Sequence, residues 1–262
     1  FVKRIKALNK ELSIAAVGKY FGTGDYTLSD SYISVIEAIK HACWSEGVKP
    51  VLTWVNSEQF EQDPASLGTL SNYKGIIVPG GFGERGIEGI IMAIHYAREH
   101  NIPYLGLCYG MQLACVEFAR NVVGLKEANS MEIDPKTKTP IIHINPMQVR
   151  NVVEKNYGAT MRLGSYDCKL SAGTKSAKAY GKNIVSERHR HRYEFNNDYR
   201  QQLVDAGLVI AGLNPEQDLV EIVELKDHPF FVGVQFHPEF QSYPEHPHPL
   251  FKVFVSAAKK GK

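Results

Sequence analysis

The stretch Ile102-Pro103-Tyr104-Leu105-Gly106-Leu107-Cys108-Tyr109-Gly110-Met111-Gln112 decides how the rest of the chain is read. Ile102 to Leu107 is an apolar run of strand length, and helical spacing sets in at Met111 and continues to Val123. Between them, Gly-x-Cys-x-Gly is the cysteine form of the nucleophile elbow G-x-S-x-G. A sharp strand-to-helix turn lifts the middle residue out of the sheet, and the flanking glycines allow close backbone approach. The N-terminus of the following helix adds the positive end of a dipole, which favours a thiolate. Cys108 is therefore the candidate nucleophile. The competing reading is a small buried core cysteine, the usual fate of a lone thiol. Cys43, Cys115 and Cys168 are expected to have that fate.

Outward from the elbow, the first half alternates strand-like and helical runs. SIAAVG at 13–18, VLTWV at 51–55 and GIIVP at 75–79 read as strands, while 31–43 and 87–98 carry helical spacing. Alternation on this scale means βαβ units and a mainly parallel sheet. The second half has closely spaced strand-like runs at 141–144, 160–163, 209–213, 220–225 and 231–236, with helices only at 199–206 and 250–260. The fold class expected is α/β: a mainly parallel central sheet flanked by helices, with an antiparallel extension. Residues 126–138 and 170–182 read as loops. The polar, basic opening FVKRIKALNKE makes 1–12 an inter-domain linker remnant, with one domain over 13–262.

A thiolate that acylates needs a base, and the base needs an orienting group. Phe236-His237-Pro238-Glu239-Phe240 offers both: in an extended segment residues 237 and 239 point the same way. The apolar run before His237 delivers it to a strand end, where catalytic groups sit in open parallel sheets. A solvated, idle histidine is the alternative. The oxyanion needs donors, and the backbone N–H groups of Gly80 or Gly81, together with that of Tyr109, are placed to supply them. A tight turn with no ligand explains GGFG equally well when it stands alone. ERHRHR at 187–192 reads as a solvated basic face, a nucleic-acid contact, or an arginine holding a substrate carboxylate.

Composition excludes several classes. The chain has 262 residues, a formal net charge of +2 and 44% apolar residues, so one sizeable core fits and no basic footprint for nucleic acid exists. No apolar run is long enough to span a bilayer. Four scattered cysteines without a C-x-x-C pair suit a reducing cytoplasm and leave no metal site. His246 and His248, in a Pro-rich loop, are expected to be exposed.

PGGFG at 79–83, GLCYGMQ at 106–112, ERHRHRYE at 187–194 and QFHPEF at 235–240 together resemble class I glutamine amidotransferase domains. More narrowly the chain looks like the glutaminase domains of CTP synthases, which VGKY at 17–20, DSYISVIEA at 30–38, TMRLG at 160–164 and HPLF at 248–251 also fit. The resemblance implies that Cys108 attacks the side-chain amide of L-glutamine, with His237 as base and Glu239 orienting it. It places Gly81 and Tyr109 at the oxyanion hole and Gly81, Tyr109, Gly110, Met111 and Gln112 along the glutamine site. Glu132 would take the substrate ammonium group and Arg192 its α-carboxylate. It implies no cofactor in this domain. In a full enzyme it implies an amidoligase (synthetase) domain using ATP and Mg2+, GTP as activator with Arg85 a candidate contact, and a homotetramer. A glutaminase or γ-glutamyl hydrolase of another pathway, or a catalytically quiet regulatory module, is the alternative. One departure stands out: Tyr109 occupies the position after the nucleophile where these domains usually have leucine, and its ring would narrow the pocket or the ammonia exit.

Overall fold

The computed structural model describes residues 1–19, 22–23, 26–27, 32–144 and 161–261. Its elements in chain order begin with α1 (Val2–Lys6), β1 (Glu11–Gly18), β2 (Gly22–Thr23), β3 (Tyr26–Thr27), α2 (Ile33–Ser45), β4 (Lys49–Asn56) and α3 (Glu58–Gln62). Next come β5 (Gly75–Val78), α4 (Ile87–Glu99), β6 (Tyr104–Leu107), α5 (Tyr109–Phe118), β7 (Ala128–Ser130) and β8 (Thr139–Ile144). The chain continues with β9 (Arg162–Leu170), α6 (Lys175–Tyr180), β10 (Ile184–His191), β11 (Tyr193–Phe195), α7 (Arg200–Asp205), β12 (Leu208–Leu213), β13 (Val220–Leu225), β14 (Phe231–Val234) and α8 (Pro249–Lys260).

Nine strands form one mixed sheet in the order β10-β9-β12-β13-β14-β6-β5-β1-β4. From β4 to β14 neighbours run parallel, and from β14 to β10 they run antiparallel. The expected class therefore holds. β14 is the seam: it pairs in parallel with β6, Val234 opposite Leu107, and antiparallel with β13. The C-terminal ends of β6 and β14 thus lie side by side, and the Cys108 amide donates to the Val234 carbonyl at 2.7 Å.

Both faces of the sheet are covered. One core holds Ile90, Ile91 and Ile94 of α4 with Leu113 and Val116 of α5. The other holds Val35 and Ile39 of α2 with Phe251, Phe254 and Val255 of α8. Helix α8 shows why such a segment forms. Pro249 fits the first turn, where no N–H is needed, and Leu250, Phe251, Phe254, Val255 and Ala258 fall on one face. Burying each large side chain there stabilises the fold by about 1.5–3 kcal/mol.

The structure corrects several expectations. Residues 170–182 are not all loop: Thr174 caps α6 by accepting from the Ala177 amide, and Gly181 ends the helix in the left-handed conformation. The helix after the elbow stops at Phe118 and passes into a wide π-turn, Ala119–Val123. His248 is buried rather than exposed. It accepts from the Leu250 amide as the cap of α8, and its Nε2 lies 2.9 Å from Glu187 Oε1. The short helix α1 buries none of its residues, and β1 already begins at Glu11, inside the expected linker. Thr160, Tyr20 and residues 30–31 of the quoted motifs lie outside the described residues.

Candidate active site

Cys108 stands at the junction of β6 and α5 with φ +49° and ψ −97°, a conformation that L-residues rarely adopt. Two close approaches hold the turn. A Cβ on Gly110 would lie 2.3 Å from the Val78 carbonyl oxygen, so only glycine lets α5 start this near β5. On the other side a Cβ on Gly80 would meet His237 Cε1 at 2.8 Å. The thiol is 6% exposed and lines a pocket of about 470 Å3. Cys43, Cys115 and Cys168 are buried free thiols; burial, with Glu46 nearby, pushes Cys43 up to about 12, and burial raises the other two as well.

His237 follows β14 into the same pocket. Its Nδ1 lies 2.7 Å from Glu239 Oε1, and its ring stacks on Phe240. The pairing arises differently from the extended spacing expected. Pro238–Gln241 is a 3-10 turn, and Glu239 reaches back from its first turn. Burial by itself disfavours the imidazolium. Hydrogen bonds and charge from Cys108 and Glu239 outweigh it and lift His237 to about 10. The geometry thus favours a proton on the imidazole beside the sulfur.

Seven of the expected site residues line the pocket: Gly81, Cys108, Gln112, Glu132, Arg192, His237 and Glu239. Tyr109, Gly110 and Met111 do not line it. The Tyr109 ring is buried, its hydroxyl donates to the Gly83 carbonyl at 2.8 Å, and the Lys19 ammonium lies 5.2 Å from the ring centre. The residue that departs from leucine therefore ties down the GGFG loop instead of narrowing the pocket. Arg85 lies outside the pocket lining, exposed and 2.5 Å from Glu58.

Two further residues belong to the site that the sequence reading left unassigned. Gln235 directs its side-chain N–H at Cys108 Sγ, 3.6 Å away, and accepts from Gln112 at 3.2 Å. Lys19 is buried and donates to the Gly83 carbonyl. Burial drops Lys19 to about 8 against the pull of Glu132. Glu132 is raised by burial, opposed by the Gly83 amide, Lys19 and Arg192. Glu132 and Arg192 thus present opposite charges in one pocket. A signal existed for both residues: each sits within a quoted motif, VGKY and QFHPEF.

Only half of ERHRHR is a solvated face. β10 alternates, with Glu187, His189 and His191 inward and Arg188 and Arg190 outward. A larger groove of about 750 Å3 lies at the N-terminal ends of β5 and β6, lined by Tyr73, Tyr96 and His100, and contains no thiol. Among the described residues no cluster of His, Cys, Asp or Glu is arranged to hold a metal, and no helix is long and apolar enough to cross a membrane.

Residues 27–257 match the family described as glutamine amidotransferase class-I. The chain is 52% identical over 257 residues to a CTP synthase of Clostridium acetobutylicum, covering 98% of this chain and 46% of that protein. It is 54% identical over 258 residues to a CTP synthase of Roseiflexus castenholzii, covering 98% and 45%. It therefore spans slightly under half the length of these relatives. Among solved structures, a Trypanosoma brucei CTPS glutaminase domain with bound acivicin aligns with a TM-score of 0.87 at 39% identity, over 96% of this chain and 95% of that one. A glutamine amidotransferase of Thermotoga maritima, 11% identical with a TM-score of 0.52 over 96% and 98%, shares the fold.

Proposed function

This chain belongs to the class-I glutamine amidotransferase family, and on that premise we propose that it hydrolyses L-glutamine at Cys108 and supplies the ammonia for making CTP. The observation that carries the reading is the sharing of one pocket by the elbow thiol, the His237–Glu239 pair and the opposed charges of Glu132 and Arg192. Cys108 Sγ adds to the side-chain amide carbon. The Gly81 and Tyr109 amides hold the oxyanion. The His237 imidazolium gives its proton to the departing nitrogen, which leaves as ammonia. Water then cleaves the γ-glutamyl thioester, His237 takes the water's proton, and glutamate departs. Glu132 pairs with the substrate ammonium and Arg192 with its α-carboxylate, so both ends of a zwitterion are read. Gln112 lines the pocket, and Gly110 and Met111 precede it in α5 outside the lining.

The full-length relatives are named CTP synthases. The wider reading follows from them: an amidoligase domain that uses ATP and Mg2+ to aminate UTP, GTP as activator with Arg85 a candidate contact, a homotetramer, and a cytoplasmic location consistent with four free thiols.

The test is ammonia release from L-glutamine, measured against a γ-glutamyl peptide and repeated with GTP and a synthetase partner. Acivicin is expected to add once, at Cys108. Turnover of the peptide in preference to glutamine, or labelling elsewhere, overturns the reading.

A further inference from the structure

Behind the pocket wall lies a charged cluster that the reaction does not use. Arg162 of β9, His189 and His191 of β10, Glu194 of β11 and Glu221 of β13 are all at most 6% exposed. Arg162 donates to Glu221 Oε1 at 2.8 Å and to Glu194 Oε1 at 3.2 Å. One guanidinium thus serves two carboxyl groups.

The hydrogen bonds fix the histidine tautomers in turn. His191 Nδ1 lies 3.1 Å from the Tyr193 carbonyl oxygen, which only accepts, so this nitrogen carries the hydrogen. The neutral ring therefore has a lone pair on Nε2. His189 Nδ1 lies 2.9 Å from that Nε2 and must donate to it. His189 is then left with a lone pair on its own Nε2. This nitrogen and Glu221 Oε2 are both buried without a hydrogen-bond partner, 3.5 Å apart. As an ionised carboxylate and a neutral ring they would present two lone pairs to one another in a dry interior. A single proton turns the contact into a donor–acceptor pair. Burial raises Glu194 as well, to about 8 against Arg162, so it is the unpartnered Oε2 facing His189 that places this proton on Glu221.

We infer that Glu221 carries a proton directed at His189, and that this protonated carboxyl is a positioning group that holds β10, and through it Arg192, against the catalytic pocket. The route to the site is short. His191 lines the pocket, Arg192 follows it directly, and the His237 amide donates to the Arg188 carbonyl of the same strand at 2.8 Å. Burial, the larger influence, raises Glu221 to about 7 against Arg162, and burial lowers His189. The other groups facing the pair are Arg162, Tyr166 and Cys168 of β9, His191 of β10, Glu194 of β11, and His237 after β14.

The role in catalysis rests on the glutaminase reading, while the proton itself does not. Glu221→Gln supplies a permanent N–H toward His189 and keeps an acceptor for Arg162. It is expected to keep glutamine kcat/KM within about twofold at neutral pH with no loss of melting temperature, whereas Glu221→Ala raises the glutamine KM about tenfold with a smaller change in kcat. The melting-temperature advantage of Glu221→Gln over the unsubstituted chain grows as pH rises from about 4.5 to about 7 and then levels off, because the unfolded chain releases the carboxyl proton from about 4.5 while the native carboxyl keeps it until about 7. Nitrogen-15 NMR is expected to find both His189 and His191 as neutral Nδ1–H rings. An imidazolium at His189, or a Glu221→Gln protein as damaged as Glu221→Ala, overturns the proposal. Absence of ammonia release in the unsubstituted chain would instead overturn the glutaminase reading and leave the NMR and melting results to decide the proton.

Discussion

Strands β5, β6 and β14 are buried at every residue and carry no charge, whereas β10 alternates and turns an acid and two histidines inward. The difference follows from what covers each strand. A parallel strand with helices on both faces has only packing to do, so its chemistry waits for its C-terminal end. Cys108 and His237 both stand there, one residue after β6 and three after β14. The antiparallel half places ionisable groups within the sheet, where each must be neutralised by a neighbour. The proposed nucleophile and base come from the dry half, and the arginines come from the half whose interior is polar.

The largest effect separating the halves is expected from Cys108→Ala. Ammonia release should fall about 1,000-fold or more while the fold is retained, checked by an ammonia assay and calorimetry. That variant also carries a pH signature. His237 is raised from an ordinary 6.5 to about 10, so its stabilising contribution is complete below about 6.5 and is lost as pH rises through about 10. Removing the thiol partner should flatten the decline in melting temperature between pH 7 and 10. In the polar half, Arg162→Ala strands two buried acids and should cost about 3–5 kcal/mol in denaturant unfolding. A loss under 1 kcal/mol would erase the contrast drawn above. Gly80→Ala pushes a methyl against the His237 ring and should cut turnover about 100-fold with little change in stability. The smallest effect is expected from Tyr109→Leu: about 1 kcal/mol from the lost hydroxyl bond to Gly83. Its kcat/KM should stay within about threefold, since the ring does not line the pocket.

The parallel half was legible because its signals are local. A strand, a glycine-flanked cysteine and a helix follow one another within eleven residues, and the order of elements implies the sheet. The antiparallel half was legible only in outline. Glu187, His189 and His191 recur with period two, the mark of a strand face, yet charge made the run look solvated. What faces His189 and His191 is Arg162 and Glu221, brought from more than 25 positions away, and no local pattern reports that. The same holds for His248, whose partner Glu187 lies 61 residues earlier. The His237–Glu239 pair was anticipated from spacing, but Pro238 opens a 3-10 turn that achieves it by another geometry. Gln235 and Lys19 went unassigned because an amide and an ammonium declare a role only once the atoms they face are known.

The backbone at Cys108 bears on how such a chain evolves. A side chain held at φ +49° costs of order 1–3 kcal/mol, and glycine alone would relieve most of it. Cys108→Gly should therefore give a dead protein that is harder to unfold than the living one. Selection for folding pulls this position toward glycine, so a lineage that ceased to need the reaction would drift there. On the proposed reaction, the cysteine at this elbow serves turnover against the preference of the fold.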